Sequence, residues 1–127
     1  MKVHLFMLVF LLSGCVLTDI EDPYERVPLP VEHIDILAYR EGQLYVRTYG
    51  KAPDACTSYD TSEITSEDAH TYRIRNTGKR NKNALCAQVL TPYTADIRIL
   101  LPGLGTYRLI FWPGTVDTVL SLPMATK

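Results

Sequence analysis

From Ile34 onward, apolar and polar residues alternate in short segments, and no stretch sustains a repeat of 3.6 residues. A period of two sends successive side chains to opposite faces of a strand. The pattern therefore predicts strands over Ile34 to Arg40, Gln43 to Tyr49, Ser58 to Thr65, Thr71 to Asn76, Leu85 to Leu90, Ala95 to Leu101, Thr106 to Trp112 and Thr115 to Leu122. Between them, Glu41-Gly42, Gly78, Pro102-Gly103 and Pro113-Gly114 supply glycine where a reversal needs positive φ. The stretch Thr57 to Ala69 is rich in Ser, Thr, Asp and Glu, and reads as a strand, as a long loop, or as a short helix capped by Ser66. Seven or eight strands in about ninety residues predict an all-β domain over residues 33–127, an immunoglobulin- or fibronectin-like β-sandwich.

Two segments carry apolar groups on both faces. Tyr107, Leu109 and Phe111 alternate with Arg108, Ile110 and Trp112, as suits a central strand or one whose outer face meets something. In the first hairpin, a two-residue turn at Glu41-Gly42 sets Leu37, Tyr39, Leu44 and Val46 on one face, and Ile34, Ile36, Ala38, Tyr45, Arg47 and Tyr49 on the other. The second face is more apolar than a solvent face requires, which makes Tyr45, Arg47 and Tyr49 a candidate partner surface unless a bulge shifts the register or the tether covers it.

The chain before Ile34 follows no such alternation. Lys2, the apolar run Val3 to Leu12 and the small residues Ser13-Gly14 before Cys15 have the layout of a secretory signal, and the run is too short to span a bilayer. This arrangement resembles a bacterial lipobox, which implies a signal peptide over residues 1–14 and lipidation of Cys15, with a palmitate-type acyl chain as the membrane attachment. The residue after the cysteine is Val16 rather than aspartate, which by analogy with lipoprotein sorting implies the outer membrane, facing the periplasm. Residues 15–32 carry an excess of acid, with Pro23, Pro28 and Pro30, and read as an extended tether.

Composition adds three constraints. Removing the first 14 of 127 residues leaves 113, enough for one domain with one modest core. A net charge of −1 gives no pull toward nucleic acid. With Cys15 assigned to lipid, Cys56 and Cys86 remain as an even pair, for which a disulfide is the expectation in an oxidising compartment.

Few residues suggest chemistry. Cys56, Cys86, His33 and His70 have the types but not the spacing of a zinc site, so no metal is expected. Ser58, Asp60 and His70 have the types of a hydrolase triad without a nucleophile elbow around the serine. Gly103-Leu104-Gly105 is a reversal, not a phosphate cradle, and no cofactor is implied. The one basic cluster is Arg73, Arg75, Lys79, Arg80 and Lys82. Arg73 and Arg75 alternate with Tyr72 and Ile74 on one strand face, and the run continues into an expected polar loop over Asn76 to Asn83. Such a cluster suits an acidic partner, a phosphate or an anionic glycan.

Pro53-Asp54-Ala55-Cys56-Thr57, Cys86-Ala87-Gln88-Val89-Leu90-Thr91-Pro92-Tyr93 and Gly105-Thr106-Tyr107-Arg108-Leu109 resemble, in that order, a pattern of small uncharacterised bacterial lipoproteins with a two-cysteine β-sandwich domain. The resemblance implies a disulfide tying neighbouring strands and carries over no activity. The expected function is a membrane-anchored, non-catalytic binding, adaptor or assembly module with an envelope protein as partner and Arg73, Arg75 and Arg80 as a second candidate surface. The alternative is an inhibitor of a periplasmic or host hydrolase that inserts the Thr57 to Ala69 segment. A small hydrolase ranks behind both.

Overall fold

The computed structural model describes residues 22–124. The expected signal peptide, the lipidated Cys15 and the start of the tether lie outside these residues. The described chain forms eight strands: β1 (Tyr24–Leu29), β2 (His33–Arg40), β3 (Gln43–Ala52), β4 (Ser58–Asp68), β5 (Thr71–Asn81), β6 (Thr91–Leu100), β7 (Gly105–Phe111) and β8 (Val116–Leu122). They make two sheets, one of three strands in the order β2-β3-β6 and one of five built around β5. This is the all-β sandwich that the alternation predicts. Among the described residues, no helix is long and apolar enough to cross a membrane.

The core is where the inward rows of the two sheets meet. Leu44, Val46, Ile97 and Ile99 come from the three-stranded sheet, and Ile74, Tyr107, Leu109, Phe111 and Leu122 from the five-stranded one. A polar strut crosses this apolar layer. Asn76 on β5 is fully buried and donates to the Thr48 hydroxyl on β3 at 2.8 Å and to the Tyr93 hydroxyl on β6 at 3.3 Å. Thr48 passes its own hydrogen to the Ala95 carbonyl, Tyr93 donates to that of Pro30, and Ser62 donates to the Asn76 carbonyl oxygen. Losing one member leaves buried groups unpaired, at about 1–3 kcal/mol each.

The two edges of β5 explain the architecture. Along one edge runs β4, antiparallel. Along the other, β1 pairs antiparallel with residues 76–81, and β7 pairs parallel with residues 71–74. Two strands thus share one edge end to end, and Arg75 stands at their junction. Backbone bonds seal it: Trp112 donates to the Ile74 carbonyl, and Val31 to that of Trp112.

Several expectations need correction. The tether reading fails at Tyr24–Leu29, which is β1, so the sandwich begins before residue 33. Val27, Leu29 and Val31 have the spacing of an inward row, and Leu29 and Val31 are fully buried. Pro28 is tolerated because β1 pairs along one edge only, so a missing N–H breaks no second ladder. Asn76 to Asn81 is not a loop but the second half of β5, held from both sides by β1 and β4, and Gly78 is buried within it rather than at a reversal. A Cβ on Gly78 would lie 2.8 Å from the Thr57 methyl and 2.9 Å from the Ser58 carbonyl.

Leu85 to Leu90 is not a strand. Among the described residues it pairs with no strand, and its course is set by the Cys56–Cys86 disulfide and an Ala55 N–H bond to the Ala87 carbonyl. Thr57 to Ala69 resolves as β4, an edge strand with most of its side chains in solvent, so neither the Ser66 helix nor the inserting loop of the inhibitor reading is present.

Candidate functional site

The outer face of the three-stranded sheet holds the first candidate surface. Glu41 and Gly42 make the two-residue turn, both with positive φ (53° and 73°). A bulge then shifts the register between Ile36 and Ala38. Leu37 is displaced to the surface, while Ile34 and Ile36 join the core beside Val46. The apolar character expected on the outer face is therefore lost. What remains is a lattice whose members engage one another. Arg47 grips Asp96 through two bonds of 2.7 and 3.0 Å, and the Tyr49 hydroxyl donates to Asp35 at 2.8 Å. Tyr45 donates to Gln43, and the Arg40 guanidinium sits 4.6 Å above the Tyr45 ring. The Tyr49 bond, opposed by desolvation, holds the Asp35 carboxyl below its ordinary range, and the Arg47 bond does the same for Asp96.

Arg80 sits apart from Arg73 and Arg75. It belongs to the other face of β5 and reaches Glu25 on β1 and the fully buried Asp54. Asp54 also accepts bonds of 2.9 Å from the Cys56 and Thr57 N–H groups and from the Thr57 hydroxyl. Burial pushes the Asp54 carboxyl up, but the bonds from Thr57, Arg80 and Cys56 outweigh it and hold the group below its ordinary value. Asp54, Cys56 and Cys86 bring three potential metal-ligand atoms within 4.8 Å of one another. The two sulfurs are bonded to each other and Asp54 is occupied by these donors, so the cluster is a structural knot.

Arg73 and Arg75 project side by side from the outer face of β5 into an open cleft of about 280 Å³. The cleft lies where the chain leaves β7, next to the point at which β1 ends on the same edge of β5. Glu63 and Thr65 on β4, opposite Arg75 and Arg73, form one wall; Ile110, Trp112, Pro113 and Gly114 form the other. Arg73 is ion-paired with Glu67. On the neighbouring strand Arg108 is likewise held by Asp117 through two bonds. Arg75 is exposed and makes no ion pair among the described residues. Trp112 is 38% exposed, and Ile110 provides an apolar floor. The cleft thus offers a free guanidinium beside an open indole, a combination suited to an anionic group attached to an apolar body.

The hydrolase residues do not meet. Ser58 pairs with Lys79 at one end of the β4–β5 hairpin, whereas His70 lies in the turn at the other. That is roughly 25 Å along the strands. His70 instead packs its ring 5.1 Å from that of Tyr107.

The sequence marks Ile110 and Trp112 only through the outer row Arg108, Ile110, Trp112, too apolar for a solvent face, and does not join that row to Arg75. Glu63 carries no signal in the sequence.

The eight strands, the two facing sheets and the internal disulfide define a disulfide-tied β-sandwich protein. Residues 46–121 match the ORF11 beta-sandwich domain, and the chain belongs to that family. The matched span runs from within β3 to within β8 and contains both paired cysteines and the whole cleft. No curated protein and no solved structure matches the chain.

Proposed function

We propose that this chain is a bacterial envelope lipoprotein, anchored through lipid on Cys15 in the outer membrane and facing the periplasm, that binds a protein partner rather than catalysing a reaction. The partner is held in the Arg75 cleft by an acidic segment with an apolar neighbour. Its carboxylate takes the Arg75 guanidinium, with Arg73 alongside, and its apolar side chain lies on Ile110 and Trp112. The observation that carries this reading is the exposed Arg75 beside Trp112, without an ion pair among the described residues. By contrast, the Tyr45, Arg47 and Tyr49 face has its hydrogen-bonding groups engaged internally, and Arg80 is bound to Asp54. The lipobox-like sequence supports the anchor.

The test is in-cell crosslinking of the full chain through a C-terminal tag, followed by mass spectrometry. A single envelope protein recovered in near-stoichiometric amount and lost with Arg75→Glu and Trp112→Ala is the expected result. Equal recovery with both variants, or recovery of only the abundant outer-membrane proteins, would overturn the assignment of the cleft. Incorporation of labelled palmitate, lost in Cys15→Ser, tests the anchor separately.

A further inference from the structure

The geometry points to a second membrane contact: the disulfide-pinned loop from Lys82 to Leu90 rests its apolar side chains in the lipid surface to which Cys15 is anchored. This rests on the lipid anchor proposed above and is independent of the cleft.

The loop is unusual in what it exposes. Leu85, Val89 and Leu90 are 102%, 60% and 64% exposed, and from Asn83 to Leu90 there is no charged residue. Apolar side chains clustered this openly mark a surface that meets something. The loop is also held in position: Cys86 is bonded to Cys56, and the Ala55 N–H donates to the Ala87 carbonyl at 3.1 Å. A loop fixed in this way loses little conformational freedom on docking.

Its place in the fold selects the occupant. The Lys82 N–H donates to the Pro23 carbonyl, so the loop begins where the chain enters the sandwich. The start of β1, the ends of β3 and β5 and the starts of β4 and β6 gather at this same end. Asp22 is seven residues on from Cys15. At about 3.5 Å per residue, even a fully extended chain keeps this end within about 25 Å of the lipidated cysteine. The opposite end lies farther off by the length of β6, ten residues and roughly 30 Å.

Charge agrees with this placement. Arg26 pairs with Asp22 and Asp60, and Arg80 with Glu25 and Asp54, two cations against four carboxylates, an excess of acid that the three lysines of this end turn into one net positive charge. Lys51, Lys79 and Lys82 have no ion pair among the described residues, and Lys79 lies over the Tyr24 ring at 5.3 Å. Lysines flanking an apolar tip suit a bilayer surface containing anionic headgroups.

The experiment places a photo-crosslinking amino acid at Leu85, Leu90 or Leu104 in the full chain, in cells whose phospholipids carry labelled phosphate. Leu104 is 68% exposed and sits in the turn between β6 and β7, at the far end of the sandwich, which makes it the matched control. The expected result is labelled phospholipid adduct at 85 and 90, several-fold above that at 104. Adducts at 85 and 90 that run to protein instead, or phospholipid adduct no greater than at 104, would overturn the contact. Labelled palmitate measured on the same samples separates the two readings: a palmitate-bearing chain without adducts sinks the loop contact alone, whereas a chain without palmitate sinks the anchor on which this placement depends.

Discussion

Arg75 and Arg80 belong to the same strand, five residues apart, and the fold uses them in opposite ways. Arg80 lies against Glu25 and a fully buried Asp54, beside the disulfide, where one guanidinium is shared by two carboxylates. Arg75 lies where two strands abut on the β5 edge, exposed beside an indole and without an ion pair among the described residues. A sequence that reads them as one basic cluster merges a structural group with a binding group. The difference is made by the strands on either side, not by the residue type.

The largest effect falls at the Arg80 end. Replacing Cys56 and Cys86 together by alanine opens a loop with a sequence separation of 30 residues. By loop entropy this removes about 3–4 kcal/mol of stability, read as a lower midpoint in denaturant melts. Arg80→Ala follows as a smaller but clear loss in the same measurement. Asp54 keeps its three donors from Cys56 and Thr57 but loses its counter-charge. If Arg80→Ala melts like wild type, the contrast with Arg75 fails.

Acid tests the same pair without mutation. The Asp54 carboxyl is lowered from its ordinary 3.8 in the folded chain, so its pairing contributes fully above that value. The contribution is lost as the pH falls through the lowered folded value. Stability should therefore decline on the acid side of about pH 4, and Asp54→Asn should flatten that decline. An Asp54→Asn chain with an unchanged acid profile would show that other carboxylates dominate it. Smallest in stability is Arg75→Glu, expected within about 1 kcal/mol of wild type, the cost of a like charge opposite Glu63 on an exposed face, while recovery of the partner is lost.

The fold was legible wherever pattern and pairing coincide. Leu44, Val46, Ile97 and Ile99 alternate in the sequence as they do in the core, and Glu41-Gly42 announces its turn. Legibility failed where a distant strand decides the outcome. Tyr24–Leu29 reads as tether because its acids and prolines mask the row Val27, Leu29, Val31, which becomes a strand only when β5 receives it. Leu85 to Leu90 is apolar enough for a strand but finds no partner strand among the described residues. The bulge beside Leu37 turns on a single residue and reverses the faces of half a hairpin.

The candidate site was legible in part. Arg73 and Arg75 are readable as neighbours on one face. Their cleft is not, because its second wall, Ile110 and Trp112 to Gly114, reaches β5 only through the parallel pairing of β7, a strand more than thirty residues further along the chain.

Trp112 is the single tryptophan of the sequence, and it stands in the wall of that cleft. The protein therefore carries its own optical reporter at the place where binding is proposed. Emission from the chain comes chiefly from one indole, half open to water, and its wavelength and intensity register whatever displaces that water. Titration of the unlabelled protein with acidic peptides then reads cleft occupancy directly, with Arg75→Glu as the silent control.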